Sequence, residues 1–171
     1  MTDIIDKKAM EEAKAPIGYM ERTRLYYRAL GYSNDYKWAK NDPVAFKPLS
    51  KPLAESKVTV ITTASQPGGP PQGNPRLKHV WSGAMNPAPA DLHTEMLAWD
   101  KEATHTKDRE SYLPINALHK ALEAGRVGSL TDRFFGVPTT YSQKQTLGQD
   151  APGILELCRE DQADVAILAP M

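Results

Sequence analysis

A run of five β-branched residues, Val58-Thr59-Val60-Ile61-Thr62, is the feature that most constrains the fold. Such a run is typical of a strand that is buried on both faces of a sheet, because branched side chains pack well on a pleated surface. Residues 163–169 form a second, largely apolar run and predict another strand. The chain must therefore cover both faces of a sheet.

The residues between these runs alternate between helix and strand patterns. Asn116 is a predicted N-cap for a helix that ends at Gly125, residues 127–130 predict a short strand, and Asp150 predicts the start of a second helix. This alternation indicates right-handed crossovers. We expect an α/β fold, a mostly parallel sheet with flanking helices of the Rossmann or flavodoxin-like type.

The N-terminal third has a different pattern. Apolar residues recur at helical spacing over residues 18–30, and a proline-rich stretch at residues 32–53 follows. The sequence thus predicts an N-terminal helix and extended arm over residues 1–53, and an α/β domain over residues 54–171.

Composition excludes several classes of protein. The formal net charge is zero, which argues against a nucleic-acid or anionic-membrane partner. The apolar run at residues 165–169 is far shorter than a membrane span, and the charged N-terminus lacks the apolar segment of a signal peptide. Cys158 is the only cysteine. We therefore expect a cytoplasmic protein without a disulfide framework.

Two groups of residues could bind a ligand. Thr62, Thr63 and Ser65 follow the first strand, and the carboxyl ends of parallel strands commonly bind ligands, so these hydroxyls could line a pocket for a carboxylate or phosphate. Arg133 could anchor a substrate carboxylate through its two parallel donors. The alternatives are a polar strand end and a structural Arg133 paired with an acidic neighbour such as Asp132.

Other reactive side chains give weaker signals. Neither GxGxxG nor GK[ST] spacing occurs, so a nucleotide site is disfavoured. His93, Asp100, His105 and Asp108 lie in an irregular stretch without metal-binding spacing, and we expect no metal site. Cys158 falls on the apolar side of its helix and is expected to be an inert thiol.

Several segments together resemble the selenoprotein-B subunit of the glycine, sarcosine, betaine and D-proline reductases, and the D-proline branch in particular. They are YMERTRLYYRALGY (19–32), KPLAESKVTVITTA (51–64), LPINAL with EAGRVGSL (113–130), RFFG (133–136) and ADVAILAP (163–170). Each segment alone is common, and their order and spacing carry the resemblance.

The resemblance implies reductive cleavage of a C–N bond in a small amino-acid-like substrate. It implies a selenocysteine or cysteine directly after the last strand, a dithiol electron donor, and a companion reductase subunit that can carry a pyruvoyl group. No cofactor is expected within this chain. Because the redox residue would follow Met171, we expect that a UGA selenocysteine codon was read as a stop and that the catalytic residue lies beyond this sequence.

Two alternatives remain open from the sequence. One is a non-catalytic binding or assembly subunit with the same fold, in which the tyrosine-rich helix and the arm contact a partner. The other is a flavin- or nucleotide-binding flavodoxin-like domain, suggested only by the sheet pattern and the loop that begins at Ser65.

Overall fold

A computed structural model describes residues 16–35, 37, 39–40, 42, 44, 46–69, 80–95, 102–103, 105–137, 139–140 and 142–171. The chain divides into two units, Met1–Val44 and Ala45–Met171. The predicted division into residues 1–53 and 54–171 stays a prediction.

The first unit contains the helix α1 (Tyr19–Ala29), as the helical spacing predicts. Gly31 follows it with φ of +90°, a conformation that glycine adopts at little cost. None of the residues of α1 is buried. Arg28 binds the carboxylate of Asp35, with Nε 2.9 Å from Oδ1, and this ion pair joins the helix to the segment after it.

The second unit contains a five-stranded mixed sheet with the central strand β1 (Lys57–Thr62). Its other strands are β2 (Trp81–Ala84), β3 (Ser129–Leu130), β4 (Arg133–Gly136) and β5 (Val165–Ala169). β1 pairs in parallel with β5 and with both β3 and β4, while β2 pairs antiparallel with β4. The predicted α/β fold with a mostly parallel sheet is confirmed.

Helices cover the two faces of this sheet. α2 (Ile115–Glu123) buries Ile115 and Leu118 in a cluster with Val58, Val60 and other residues of one face. After a short helix α3 (Gln143–Gln145) and a π-helical segment (Thr146–Asp150), α4 (Ala151–Glu160) packs against the opposite face. There Ile154 of α4 joins Ile61 and Phe135.

The start of α2 differs from the prediction. Pro114, not Asn116, is the N-cap residue, and its side chain makes no capping hydrogen bond. The carboxylate of Glu110 instead accepts a hydrogen bond from the Ala117 amide at 3.1 Å. Glu110 belongs to a 3₁₀ turn (Arg109–Ser111), so this residue reaches the helix from outside it and the local cap signal at Asn116 was misleading.

α4 begins where the sequence predicts, with Asp150 directly before its first residue and Pro152 in its first turn. Asp150 lies in the π-helical segment, where it has αR geometry and makes no side-chain capping hydrogen bond. The helix is continuous with preceding helical turns, so its first amides are not left exposed at Asp150.

The sequence analysis did not predict the strand β4. Its two buried aromatic residues, Phe134 and Phe135, point to opposite faces of the sheet, one into each core cluster. Gly136 and Gly83 allow this packing, since a Cβ at either position would overlap the ring of Trp81 or of Phe134, respectively. Within the described residues, none of the helices is both long and apolar enough to cross a bilayer.

Candidate functional site: the carboxyl edge of the sheet

The three predicted pocket residues at the end of β1 all lie at the carboxyl edge of the sheet. Thr62 is fully buried, and its hydroxyl oxygen accepts a hydrogen bond from the Ala64 amide at 3.2 Å. The hydroxyl of Thr63 accepts a hydrogen bond from the amide of Met171 at 2.9 Å. Thr62 therefore supports the backbone, whereas Thr63 joins β1 to the segment that follows β5.

Ser65 joins the same edge to a second segment. Its backbone exchanges two hydrogen bonds with His93, at 3.0 Å and 3.1 Å, in an antiparallel bridge. The His93 ring packs over Gly69, where a Cβ would lie 3.6 Å from the ring, and φ of Gly69 is +92°. The backbone of Ser65 thus positions His93, a residue 28 positions away in the sequence.

A groove of about 490 Å³ lies beside this bridge. One side is formed by Pro67 and Gly68, and the rest by residues 91–95, residues 106–107 and Tyr112. The hydroxyls of Thr94 and Thr106 are 2.6 Å apart, which ties the two polar segments together. Tyr112 is only 1% exposed, so the groove is attached directly to the hydrophobic core.

The groove carries side chains of both charges. Asp91 and Glu95 supply carboxylates, Lys107 supplies an ammonium group, and the half-buried His93 lies among them. Leu92, between Asp91 and His93, is buried, and all five residues from Asp91 to Glu95 line the groove.

Arg133 lies away from this groove. Its carbonyl accepts a hydrogen bond from the hydroxyl of Thr59, near the amino end of β1, at 3.2 Å. The structure therefore does not bring Arg133 together with Thr62, Thr63 and Ser65.

The guanidinium of Arg133 contacts two carboxylates. Its Nη2 lies 2.5 Å from Asp161 Oδ1 and 3.1 Å from Glu160 Oε2, and its Cζ lies 5.6 Å from the centre of the Phe135 ring. The hydrogen bonds that Arg133 donates to Asp161, and to a lesser extent the one to Glu160, raise the pKa of the guanidinium above its usual value. This is the geometry of a structural ion-pair cluster, and the role of Arg133 as an anion anchor stays a prediction.

The irregular histidine-containing stretch divides into separate parts. His93 lines the groove, whereas Asp108 accepts a hydrogen bond from the Glu110 amide at 3.0 Å and begins a 3₁₀ turn. His105 is exposed, and Asp100 lies outside the described residues. In the part of the chain that is described, His, Cys, Asp and Glu side chains do not gather in a group of three suited to a metal ion.

Cys158 lies on the half-buried side of α4, where Leu157 also packs against the second core cluster. Burial, followed by the nearby negative charge of Asp161, raises the pKa of the Cys158 thiol. A raised pKa leaves less of the reactive thiolate at neutral pH. The geometry agrees with the predicted inert role.

Sequence reasoning missed the groove as a unit. Residues 91–109 show neither helical nor strand periodicity, and the contacts that form the groove are made with Ser65 and Gly69 in a different part of the chain. The available sequence signal was the presence of three titratable residues, Asp91, His93 and Glu95, within five positions. Comparisons of the chain with protein-family models, curated proteins and solved structures give no match.

Proposed function

We propose that the chain is a subunit of a selenocysteine- or cysteine-dependent reductase that cleaves a C–N bond in a small amino-acid-like substrate. The sequence resemblance supplies the reaction class. The observation that carries the proposal is the 2.9 Å hydrogen bond from the Met171 amide to Thr63 Oγ1, at the carboxyl edge of β1. Thr63 is two residues before Ser65, whose backbone joins β1 to the groove.

This position suits a redox residue for a physical reason. A selenol or thiol placed beyond a strand's carboxyl end, at the start of a following helix, is accessible, and the helix N-terminus favours its anionic form. In the proposed reaction the substrate's C–N bond breaks and a C–H bond replaces it. Two electrons and two protons are consumed, and a dithiol donor supplies them as it is oxidised to a disulfide.

The carboxyl-edge hydroxyls have separate roles in this proposal. Thr63 orients the segment that carries the redox residue, through the contact with the Met171 amide. Thr139 Oγ1 in turn donates a 3.0 Å hydrogen bond to the Thr63 carbonyl, which fixes the backbone at this point. The companion subunit supplies the group that holds the substrate amine.

The first experiment is to determine the coding sequence after the Met171 codon and the intact mass of the natively produced protein. We expect an in-frame UGA or cysteine codon, further coding sequence and, for UGA, a product that contains selenium. A UAA or UAG codon together with a native mass that ends at Met171 would overturn the proposal.

Activity provides the second test. The complete protein with its companion subunit is expected to release ammonia from a glycine-type substrate only when a dithiol is present. The matched control replaces the selenocysteine or cysteine by serine, which keeps the size but removes the redox chemistry. Equal ammonia release by the serine variant would contradict the assigned role.

A binding or assembly subunit is the second candidate, and the surface of α1 favours it. Tyr19, Tyr26 and Tyr27 are 69%, 61% and 52% exposed, and none of the residues of α1 is buried. An isolated helix of 11 residues is marginal in water, so a partner surface would stabilise it. A true stop codon after Met171, with a stable native complex that is lost on replacing these tyrosines, would favour this candidate.

A further inference from the structure

We propose that the outer edge of β5 is a self-association surface, at which a second copy of this chain adds its own β5 in antiparallel orientation. The two five-stranded sheets would then join into one continuous sheet around a two-fold axis at Ile167. This proposal does not rest on the reductase activity.

β5 is an outer strand of the sheet. It pairs in parallel with β1 over its whole length. Val58 of β1 pairs with both Leu130 of β3 and Val165 of β5, and Thr62 likewise pairs with both β4 and β5. β3 and β4 therefore lie on one side of β1 and β5 lies on the other. Among the described residues, the far edge of β5 is not paired with another strand, so it presents backbone N–H and C=O groups to a partner.

The sequence of β5 lacks the features that usually keep an edge strand from pairing. Its five residues include neither a charged side chain nor proline or glycine. By contrast, the outer strand β2 contains Ser82 and Gly83. Leu168 is 70% exposed and Ile167 is 37% exposed, and these neighbours point to opposite faces of the sheet. Apolar side chains on an unprotected edge are typical of a surface that another strand covers.

The occupant is a second β5 because the strand is complementary to itself. With the axis at Ile167, Val165 lies opposite Ala169 of the second copy. Ala166 lies opposite Leu168 in the same way. Directly opposed residues share one face of a sheet, so each larger side chain away from the axis packs beside an alanine. All five positions of the strand are then paired.

The charge that precedes β5 favours the antiparallel arrangement. Asp164 accepts a hydrogen bond from the Lys57 amide at 2.7 Å and pairs with Lys51 at 2.6 Å. In an in-register parallel pair, the Asp164 carboxylates of the two copies would lie side by side and repel each other. In the antiparallel pair each Asp164 lies opposite Pro170, and the two carboxylates are about 20 Å apart along the strands.

The length of the contact sets the expected affinity. Five paired residues span about 17 Å, which is a small interface, so we expect a dissociation constant of about 10–100 µM. Sedimentation velocity of the 171-residue chain between about 1 and 500 µM measures it. We expect a monomer at the lowest concentrations and a dimer at the highest. A monomer over the whole range would overturn the proposal.

A charged substitution tests whether β5 forms the contact. Leu168→Lys is expected to weaken dimerisation at least about tenfold, because it places a charge against an apolar strand. The monomer should tolerate this change, since the side chain is mostly exposed. Leu147→Lys is the matched control, because Leu147 is 73% exposed and lies in the π-helical segment. Equal weakening by the two variants, or none by Leu168→Lys, would overturn the proposal.

A mixture of two variants tests the register. Ala166→Glu alone should also weaken dimerisation. Mixed with the Leu168→Lys protein, it is expected to form a heterodimer at least about threefold more readily than either variant forms a homodimer, because the introduced carboxylate then lies opposite the introduced ammonium group. A mixture that associates no better than its components would overturn the register centred on Ile167.

These tests are separable from that of the reductase. A dimer of the chain together with a true stop after Met171 would retain the β5 surface and remove the reductase. A monomer together with a selenium-containing native product would retain the reductase and remove this surface.

Discussion

Arg133 binds the carboxylate of Asp161 through two nitrogens, with Nε 3.2 Å from both carboxylate oxygens and Nη2 2.5 Å from Oδ1. The pair joins the start of β4 to the residue that follows α4. It lies near the amino end of β1, whereas ligands of parallel sheets bind at the carboxyl edge.

Replacing Arg133 by Met is therefore expected to lower stability. The 14% exposed Asp161 side chain would lose its charged partner, and we expect the free energy of unfolding to fall by about 1–2 kcal/mol, because the partly exposed Arg133 is screened by solvent. Urea denaturation measures this change, with Arg159→Met on the exposed side of α4 as the control. We also expect the complete protein to keep its affinity for a carboxylate substrate, and a loss of that affinity would restore Arg133 as an anion anchor.

The contact between Gly136 and Trp81 should make the sheet intolerant of a methyl group there. A Cβ at Gly136 would overlap the indole ring, so Gly136→Ala is expected to destabilise the protein by about 3 kcal/mol or more. Gly148 is the matched control, because a Cβ there meets nothing within 4 Å. Gly148→Ala should be neutral or stabilising by up to about 1 kcal/mol. Thermal denaturation of the two variants compares them directly, and equal melting temperatures would contradict this packing.

Glu110 should make stability depend on pH. Burial acts to raise the pKa of Glu110, but hydrogen bonds from Arg109 and from the amides of Ala117 and Asn116 outweigh it and hold that pKa below its usual value. A lowered pKa stabilises the fold above the pKa of the unfolded state, and this contribution is lost as pH falls through the folded-state pKa.

Glu110→Gln is accordingly expected to cost about 1 kcal/mol at pH 7. The difference from wild type should shrink as pH falls below about 4.3, the ordinary pKa of a glutamate. Denaturation at several pH values tests this, with Glu123→Gln on exposed α2 surface as the control. A difference independent of pH would show that the charge of Glu110 has no role.

Cys158 should react slowly with thiol reagents. Since burial and Asp161 raise the pKa of this thiol, the thiolate fraction near pH 8 is smaller than in an unfolded chain. We expect alkylation by iodoacetamide to be at least about threefold slower in the folded protein than in urea. Cys158→Ser should abolish labelling, because the sequence has no other cysteine. Equal rates in the two states would contradict the half-buried position.

The exposed tyrosines of α1 should contribute little to the stability of the isolated chain. Tyr26 and Tyr27 are 61% and 52% exposed and form an edge-to-face pair with ring centres 5.7 Å apart. Replacing both by Ser is expected to change the free energy of unfolding by less than about 1 kcal/mol. If the proposed assembly surface exists, the same variant should lose the native complex, and size-exclusion chromatography of natively produced protein measures this.

Much of the fold could be predicted because its strongest signals are local. The β-branched run became the central strand β1, and the helical spacing before Gly31 became α1. β4 could not be recognised, because its four residues carry no repeating pattern. Their burial depends on pairing with β1 and β2, which are distant in the sequence.

The candidate site depended still more on long-range contacts. Thr63 and Ser65 were predicted at the strand end and lie there, but their partners, Met171 and His93, could not be inferred from spacing. A hydroxyl or a histidine is compatible with many partners, and only the folded backbone selects among them.

The amino-acid sequence by itself determined the α/β class, because branched and apolar residues alternate with helical patterns at lengths that only a covered sheet can bury. Only the tertiary structure decided that Arg133 pairs with Asp161 and that His93 meets Ser65 beside the groove. The physical reason is the sequence distance over which each kind of interaction acts. Periodicity and burial preference act within a few residues, whereas ion pairs and ligand sites form between segments that approach each other only after the sheet is assembled.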